Sequence, residues 1–334
     1  MSLRVGVIGT GMIGRDHIRR MRTVQAGVSV VAVADVDGEL AARVAAGIGA
    51  VAHPDGRELI ASPGVDAVVV CSWGGTHEEY VLAAIAAGKP VFCEKPLATS
   101  QQACLRIMAA EAGHGSRLVQ VGYMRRYDAA YRALKQVLDS GVIGAPLMMH
   151  CAHRNAGVPD FYQPDNIITD TAVHEIDLVR WMFGSEIVRV RVLRPRASRN
   201  AGELPDPLLL VLELANEVLV DVELSVNVRY GYDIRGEILG EDGTVSLGDP
   251  GLVAVRRAGQ VGGPVPADWR DRFGAAYDVE LRDWAASAAG SGPPDGPGAW
   301  DGYAAAVVSE AAVRALRTGE PVTVTLVDRP KLYD

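Results

Sequence analysis

The sequence predicts an α/β protein, with a doubly wound parallel-sheet domain in residues 1–122 and an α+β domain with a large, mostly antiparallel sheet in residues 123–334. Three observations carry this expectation. Up to Gly122, short apolar runs alternate with helical patterns, the rhythm of a parallel sheet covered on both faces. Beyond it, strands of period two follow one another with few helices between them. A length of 334 residues corresponds to about two domains at roughly 100–200 residues each. Apolar residues make up 49% and charged residues 22%, enough to build two cores and too apolar for a disordered chain. The net charge of −8 argues against nucleic acid or an anionic membrane as a partner. No apolar run is long enough to span a bilayer, and the strand pattern begins at Leu3 with no apolar leader before it. Cys71, Cys93, Cys104 and Cys151 show no C-x-x-C spacing and sit mostly in apolar runs. They read as reduced core thiols of a cytoplasmic protein.

In the first half the candidate strands are Leu3–Ile8, Val28–Ala34, Ala50–Ala52, Asp66–Cys71, Pro90–Glu94 and Leu118–Gly122. Thr76–Glu79 has the form of a capping box, opening a helix that runs to Ala87 and is stopped by Gly88 and Pro90. Thr99–Gln102 opens another, ending near Gly113. In the second half a helix is expected over Tyr127–Ser140. In Val218–Val228, Val220, Val222, Leu224, Val226 and Val228 share one face of a strand, with Asp221, Glu223, Ser225 and Asn227 on the other. That polar face is either solvated or a polar interface between subunits. Val188, Val190 and Val192 alternate with Arg189 and Arg191 in the same way, and Glu241–Gly243 marks a hairpin turn before Thr244–Leu247. A loop over Ser291–Gly298 precedes a last helix, Ala299–Thr318, closed by Gly319.

Gly9, Gly11 and Gly14, with Thr10, Met12 and Ile13 between them, form a G-x-G-x-x-G that follows a strand and opens a helix. In that setting the first glycine permits the tight turn, the second lets backbone approach a pyrophosphate, and the third lets helix and strand pack closely. The helix N-terminus adds unpaired N–H groups that suit phosphate. The next strand ends in Asp35, where a carboxylate can accept the ribose hydroxyls, although the same residue also suits the turn Asp35–Gly38. A carboxylate there would repel a 2′-phosphate, and no arginine follows it directly, so the expected cofactor is NAD.

Lys95, one of only four lysines, follows Glu94 at the C-terminal end of a parallel strand, where open α/β sheets place ligands. By itself it could equally be a surface lysine ahead of Pro96. Thr169–Phe183 reads as a helix with Ala172, Ile176, Val179 and Phe183 on one stripe and Asp170, His174, Asp177 and Trp181 on the other. The second stripe is expected to face solvent or a cleft, and Asp170 is spaced to orient His174 as a general base. An N-cap aspartate and a solvated histidine are the plainer alternative. Leu147, Met149, Cys151, His153 and Asn155 share a strand face whose polar end could line a polyol site or merely finish the strand's hydrogen bonding. No metal-ligand spacing appears.

Three motifs, GTGMIG at Gly9–Gly14, CEKP at Cys93–Pro96 and DTAVHEID at Asp170–Asp177, resemble those of the Gfo/Idh/MocA oxidoreductases. Narrower segments are similar to the members that oxidise inositol: Val121–Tyr131, Ile143–Asn155, Tyr230–Ile234, Phe273–Glu280 and Ala299–Ala305. One departure is Gly75, where such members carry proline. The resemblance implies a Rossmann domain, a second domain with a large open sheet, and a homotetramer packed through those sheets. It implies NAD-dependent oxidation of myo-inositol at C2, with Lys95, Asp170 and His174 acting together. By the same matching, Lys95, Met124, His153, Asn155, Asp170, His174, Asp177, Tyr232 and Tyr277 belong to the substrate pocket. Ser72, Trp73, His77, Glu94 and Lys95 lie along the cofactor, and the bond before Pro96 is cis. Oxidation of scyllo-inositol or a related cyclic sugar is a sibling alternative. A non-catalytic NAD-binding sensor is a different one, and it predicts the loss of Lys95, Asp170 or His174, all of which are present.

Overall fold

The computed structural model describes residues 2–248, 255–290 and 292–334, so Ser291 of the expected loop lies outside the described residues. The chain divides into two compact units. The first is Met1–Tyr123 with Tyr277–Ala306 and Leu326–Asp334, and the second is Met124–Ala276 with Val307–Thr325. A single cut after residue 122 therefore has to be corrected at the far end of the chain, where two later segments return to the first unit.

In the first unit the elements run β1 (Leu3–Ile8), α1 (Met12–Thr23), β2 (Val28–Ala34), α2 (Gly38–Ile48), β3 (Val51–His53), α3 (Gly56–Ala61), β4 (Ala67–Val70), α4 (His77–Ala86), β5 (Val91–Glu94), α5 (Gln101–His114) and β6 (Val119–Gly122). The sheet order is β3-β2-β1-β4-β5-β6 and every pairing is parallel. Because helices cover both faces, β4, β5 and β6 are buried at every position, which is why β4 reads as an unbroken apolar run; β5 and β6 carry one polar residue each, Glu94 and Gln120. The order reverses direction between β1 and β4, the switch point at which such sheets open a crevice beyond their C-terminal ends. Ser100, not Thr99, caps α5 by accepting from Ala103 N–H. The capping box at Thr76 does not form. Its Oγ1 donates to Trp73 O and meets Ser72 Oγ at 2.8 Å, while Glu79 pairs with Arg57, so the threonine closes the loop after β4 instead.

The second unit begins with a 3-10 turn, Met124–Tyr127, followed by α6 (Ala129–Asp139), β7 (Pro146–Arg154), a π-turn over Ile167–Ala172 and α7 (Val173–Phe183). Then come β8 (Ile187–Leu193), β9 (Leu208–Leu214), β10 (Leu219–Ser225), β11 (Asp233–Gly240), β12 (Thr244–Ser246) and a small hairpin of β13 (Val255–Arg257) and β14 (Gln260–Gly262). The last elements are α8 (Trp269–Gly290), α9 (Ala299–Thr318) and β15 (Val322–Thr323). The seven-stranded sheet has the order β12-β11-β7-β10-β9-β8-β15, antiparallel except where β7 and β10 run parallel.

The inner face of this sheet is apolar, with Val220, Val222, Leu224, Leu210 and Leu212 all buried. A register shift between Ile187 and Arg189 puts Ile187 inside and leaves Val188 exposed, so the expected alternation holds only at Val190 and Val192. The outer face carries cross-strand polar pairs, His150 with Asp221 and the ion pair of Arg154 with Glu223. From Tyr277 onward α8 belongs to the first unit, where Leu281, Trp284 and Ala285 complete the core. The spacing of these residues is an amphipathic stripe, and Trp284 packs edge-on against Phe92 at 5.8 Å. That stripe explains why the C-terminal half of the sequence cannot be assigned whole to the second domain.

Candidate active site

In the first unit the glycine motif and the loop after β4 converge at the switch point. Gly9 has φ +91°, and a Cβ there would stand 2.5 Å from Cys71 and Ser72 backbone atoms. A Cβ on Gly14 would overlap the carbonyl oxygen of Gly9, so this glycine is what lets α1 start against the turn. Gly11 differs, since a Cβ there would meet nothing within 4 Å. Gly11 is the N-cap of α1 and offers no side-chain acceptor to the first-turn N–H groups. Backbone donors, a partial positive charge and an open approach fit the pyrophosphate of NAD at this turn. Met12 is exposed and Ile13 half-buried on the first turn.

Asp35 is half-buried at the end of β2. Its Oδ2 accepts from Thr10 N–H at 2.5 Å and Thr10 Oγ1–H at 2.9 Å, and its Oδ1 accepts from Asp37 N–H at 3.0 Å. Burial pushes its pKa up, but the donors of Thr10, Asp37 and Val36 outweigh that and hold it below the usual carboxylate range. The carboxylate thus stays anionic and ties the glycine loop to β2.

Lys95 follows β5, and its peptide bond to Pro96 is cis. Glu94 is buried, with Oε1 2.7 Å from His17 Nε2 and Oε2 accepting from Lys95 N–H at 3.2 Å. His77 is also buried, its Nδ1 2.7 Å from Pro96 O and its Nε2 2.9 Å from Ser72 O. Of the residues expected along the cofactor, Glu94 and His77 thus turn into the chain and hold its loops, while Trp73 projects outward at 79% exposed. Ser72 is half-buried against Thr76. The Trp73 ring stands where a Cβ on Gly75 would go, so the indole and a side chain at position 75 exclude each other. Tyr277 is buried in this unit, its ring 5.6 Å from that of His17 and under the Arg20 guanidinium at 5.4 Å.

In the second unit the expected residues meet a buried ionic network. Glu175 and Arg125 are each 1% exposed and form an ion pair. Glu175 Oε2 lies 3.0 Å from His153 Nδ1, and His153 Nε2 lies 3.4 Å from the Tyr232 hydroxyl. Burial pushes the Glu175 pKa up, but Arg125 and His153 pull it below its ordinary value. Arg125 Nη2 also lies 3.0 Å from His153 Nδ1, so this nitrogen faces both partners of the ion pair, one a pure acceptor and the other a pure donor. Burial pushes the Tyr232 phenol up to about 12, which keeps it a neutral donor. The His174 ring lies 6.2 Å from that of His153, and both histidines are buried. Met124 is buried in the 3-10 turn.

Asp170 sits exposed on the π-turn one turn before His174. The expected cleft-facing stripe of α7 is corrected here, because the helix is buried from Val173 through Arg180. Asp177 is buried and chelated by Arg126 through Nε at 2.9 Å and Nη2 at 2.5 Å, which is how a carboxylate is accommodated at that depth. Asn155 lies just past β7, its backbone bonded to Ser225 O and Val228 N–H, while Leu147 at the other end of the predicted face is exposed. The sequence reading did not single out His17, Arg125, Arg126 or Glu175. Their polar type in an apolar pattern is no signal until a partner is known, and each partner here lies on another element.

The sequence pattern of the oxidoreductase family with an NAD-binding Rossmann fold matches residues 3–123, and that of its C-terminal alpha/beta domain matches residues 135–324. The chain belongs to the Gfo/Idh/MocA oxidoreductase family. It is an NAD-dependent oxidoreductase. Inositol 2-dehydrogenase 3 of Saccharopolyspora erythraea is 53% identical over all of this chain and 98% of its own length. The inositol 2-dehydrogenase of Ralstonia nicotianae is 52% identical over all of this chain and 99% of its own. Among solved structures, myo-inositol dehydrogenase from Lactobacillus casei in complex with NAD(H) and myo-inositol superposes with a TM-score of 0.98 at 39% identity, covering both chains completely. Among the described residues, no helix of this family member is long and apolar enough to cross a membrane.

Proposed function

We propose that this family member oxidises myo-inositol at C2 to 2-keto-myo-inositol (scyllo-inosose) with NAD. The full-length likeness to an enzyme solved with NAD(H) and myo-inositol carries the reading, and Lys95, Asp170 and His174 are all retained. NAD, when bound, accepts the hydride that leaves C2. His174 takes the proton of the C2 hydroxyl, so that one hydride and one proton depart and the carbon becomes a ketone. Asp170 orients His174 and favours its protonated form. Lys95 hydrogen-bonds the reacting oxygen and stabilises the negative charge that develops there. The His153 ring and the Tyr232 hydroxyl, which meet each other at 3.4 Å, serve hydroxyls remote from C2, and Met124, Asn155, Asp177 and Tyr277 complete the substrate set.

We assign the first domain to cofactor binding, with Gly9–Gly14, Asp35, Ser72 and Trp73 along the cofactor and His77 and Glu94 buried behind it as residues that hold its loops, and the second to substrate binding and assembly. The assembly is a homotetramer packed through the outer sheet face, whose charge pairs suit a polar interface. The four buried free thiols suit the reducing cytoplasm.

The test is NADH formation with myo-inositol, scyllo-inositol, D-chiro-inositol and glucose, each with NAD and with NADP. Selective turnover of myo-inositol with NAD is expected. Preference for another polyol would refute the substrate assignment, and silence across the panel with NAD still bound would refute the enzymatic one. Light scattering that returns a monomer would refute the tetramer.

A further inference from the structure

Two buried histidines in the first unit converge on the same two residues of backbone. His17 comes from α1, three residues after Gly14, and is fully buried. Its ring is packed edge-on against Phe92 at 5.8 Å and beside Tyr277 at 5.6 Å. Nε2 faces the Glu94 carboxylate at 2.7 Å, whereas Nδ1 is buried with no partner among the described residues. A carboxylate oxygen can only accept, so Nε2 carries a proton and donates it to Glu94 inside the fold. The second Glu94 oxygen accepts from Lys95 N–H. Gly122, at the end of β6, leaves room for this arrangement, since a Cβ there would stand 3.1 Å from the carboxylate. From the other side, His77 Nδ1 lies 2.7 Å from Pro96 O and Nε2 2.9 Å from Ser72 O in the loop after β4. Burial lowers its pKa and keeps the ring neutral with one N–H, which the shorter contact assigns to Nδ1 as donor to Pro96 O, while Nε2 only packs against Ser72 O.

We propose that His17 and His77 form a clamp that positions Lys95, His17 acting through Glu94 on the Lys95 N–H and His77 directly on the Pro96 carbonyl. The two histidines fix the backbone on both sides of the Lys95 Cα. They also tether it to the two cofactor loops, His17 through α1 and its glycine turn, His77 through Ser72. They are positioning residues and touch no reacting atom. The inference rests on the reading of Lys95 as the group that binds the reacting oxygen.

The test compares His17→Leu and His77→Leu with the donor-retaining variants His17→Gln, His77→Asn and His77→Gln, each made in the wild-type and Lys95→Ala enzymes. NADH formation gives kcat and KM, and fluorescence titration gives NAD affinity. A misplacement of about 1 Å can cost roughly 100-fold in rate. Each leucine variant is accordingly expected to lose about 10- to 100-fold in kcat, with NAD affinity changed by less than about threefold. A glutamine amide can reach where Nε2 stood and an asparagine amide where Nδ1 stood. His17→Gln and His77→Asn should therefore recover most of the loss, and His77→Gln, whose amide stands where Nε2 stood and not where Nδ1 donates to Pro96 O, much less.

In the Lys95→Ala enzyme the histidine substitutions should lower kcat no further, because the effect acts through that side chain. Equal losses in both backgrounds, or full kcat in the leucine variants, would overturn the clamp. Should a leucine variant not fold, failure of the glutamine and asparagine variants to differ would overturn it as well. Near-normal turnover of Lys95→Ala alone would instead overturn the role of Lys95, a separate outcome.

Discussion

Replacing Glu175 with alanine tests the centre of the second unit. The glutamate and Arg125 are each 1% exposed, and the same carboxylate lies 3.0 Å from His153 Nδ1. Its removal leaves a guanidinium buried without its counter-ion, a change that costs about 3–5 kcal/mol. At about 2–4 °C per kcal/mol for a unit of this size, the melting temperature should fall by roughly 6–20 °C. The double variant Glu175→Met with Arg125→Met removes both charges and fills similar volume, so it should regain most of that loss.

Thermal unfolding followed by circular dichroism measures all three proteins. The pH dependence has a definite sign. Glu175 has a folded pKa below its ordinary 4.5, so its contribution is complete above that value and is lost as pH falls through the lower folded one. The gap between wild type and Glu175→Ala should therefore close on acidification. Function should follow, since without Glu175 the His153 ring loses a contact that orients it, and KM for the polyol should rise. A drop of less than about 2 °C for Glu175→Ala, or no recovery in the double variant, would refute the reasoning.

Asp35→Ser removes the acceptor of both Thr10 donors and of Asp37 N–H. With bonds to a charged acceptor worth about 1.5–3 kcal/mol each, NAD affinity should weaken by at least about tenfold and NADP gain relative to it; an unchanged cofactor ratio in binding titrations would remove Asp35 from the ribose. Gly11→Ala and Gly14→Ala should separate ligand approach from packing. A methyl at Gly14 overlaps Gly9 O and should lower both stability and NAD affinity, whereas one at Gly11 meets no protein atom and should lower affinity alone. Matching melts and matching NAD titrations for the two variants would contradict this. His174→Ala should reduce kcat by about 10²–10⁴-fold with NAD affinity intact, and stopped turnover measurements that find less than tenfold loss would displace it as the general base.

Local physics made much of this protein legible. β1 and β2 have the expected bounds because turns bracket mainly apolar runs, interrupted only by Arg4 in one and Ser29 in the other. The glycine turn was legible because positive φ at Gly9 and close approach at Gly14 admit almost no other residue. α7 was harder. Its periodicity distinguishes two stripes, and a charged stripe ordinarily faces water. Here Asp177 is buried because Arg126, contributed by the turn before α6, neutralises it. Thr76 likewise carries a cap signature, yet its hydroxyl closes a loop with Ser72 and Trp73.

The sequence by itself determined the β–α rhythm of the first domain, the period-two strands of the second, the cofactor turn and the family motifs. These depend on residue type and on spacing within one element. Only the tertiary structure decided that α8 contributes Trp284 to the first core, that Glu175 meets both His153 and Arg125, and that His17 and His77 reach the backbone around Lys95. Each of these joins residues far apart in the chain. A buried polar side chain is stabilised by whichever partner the fold delivers to it, and no local periodicity encodes that partner.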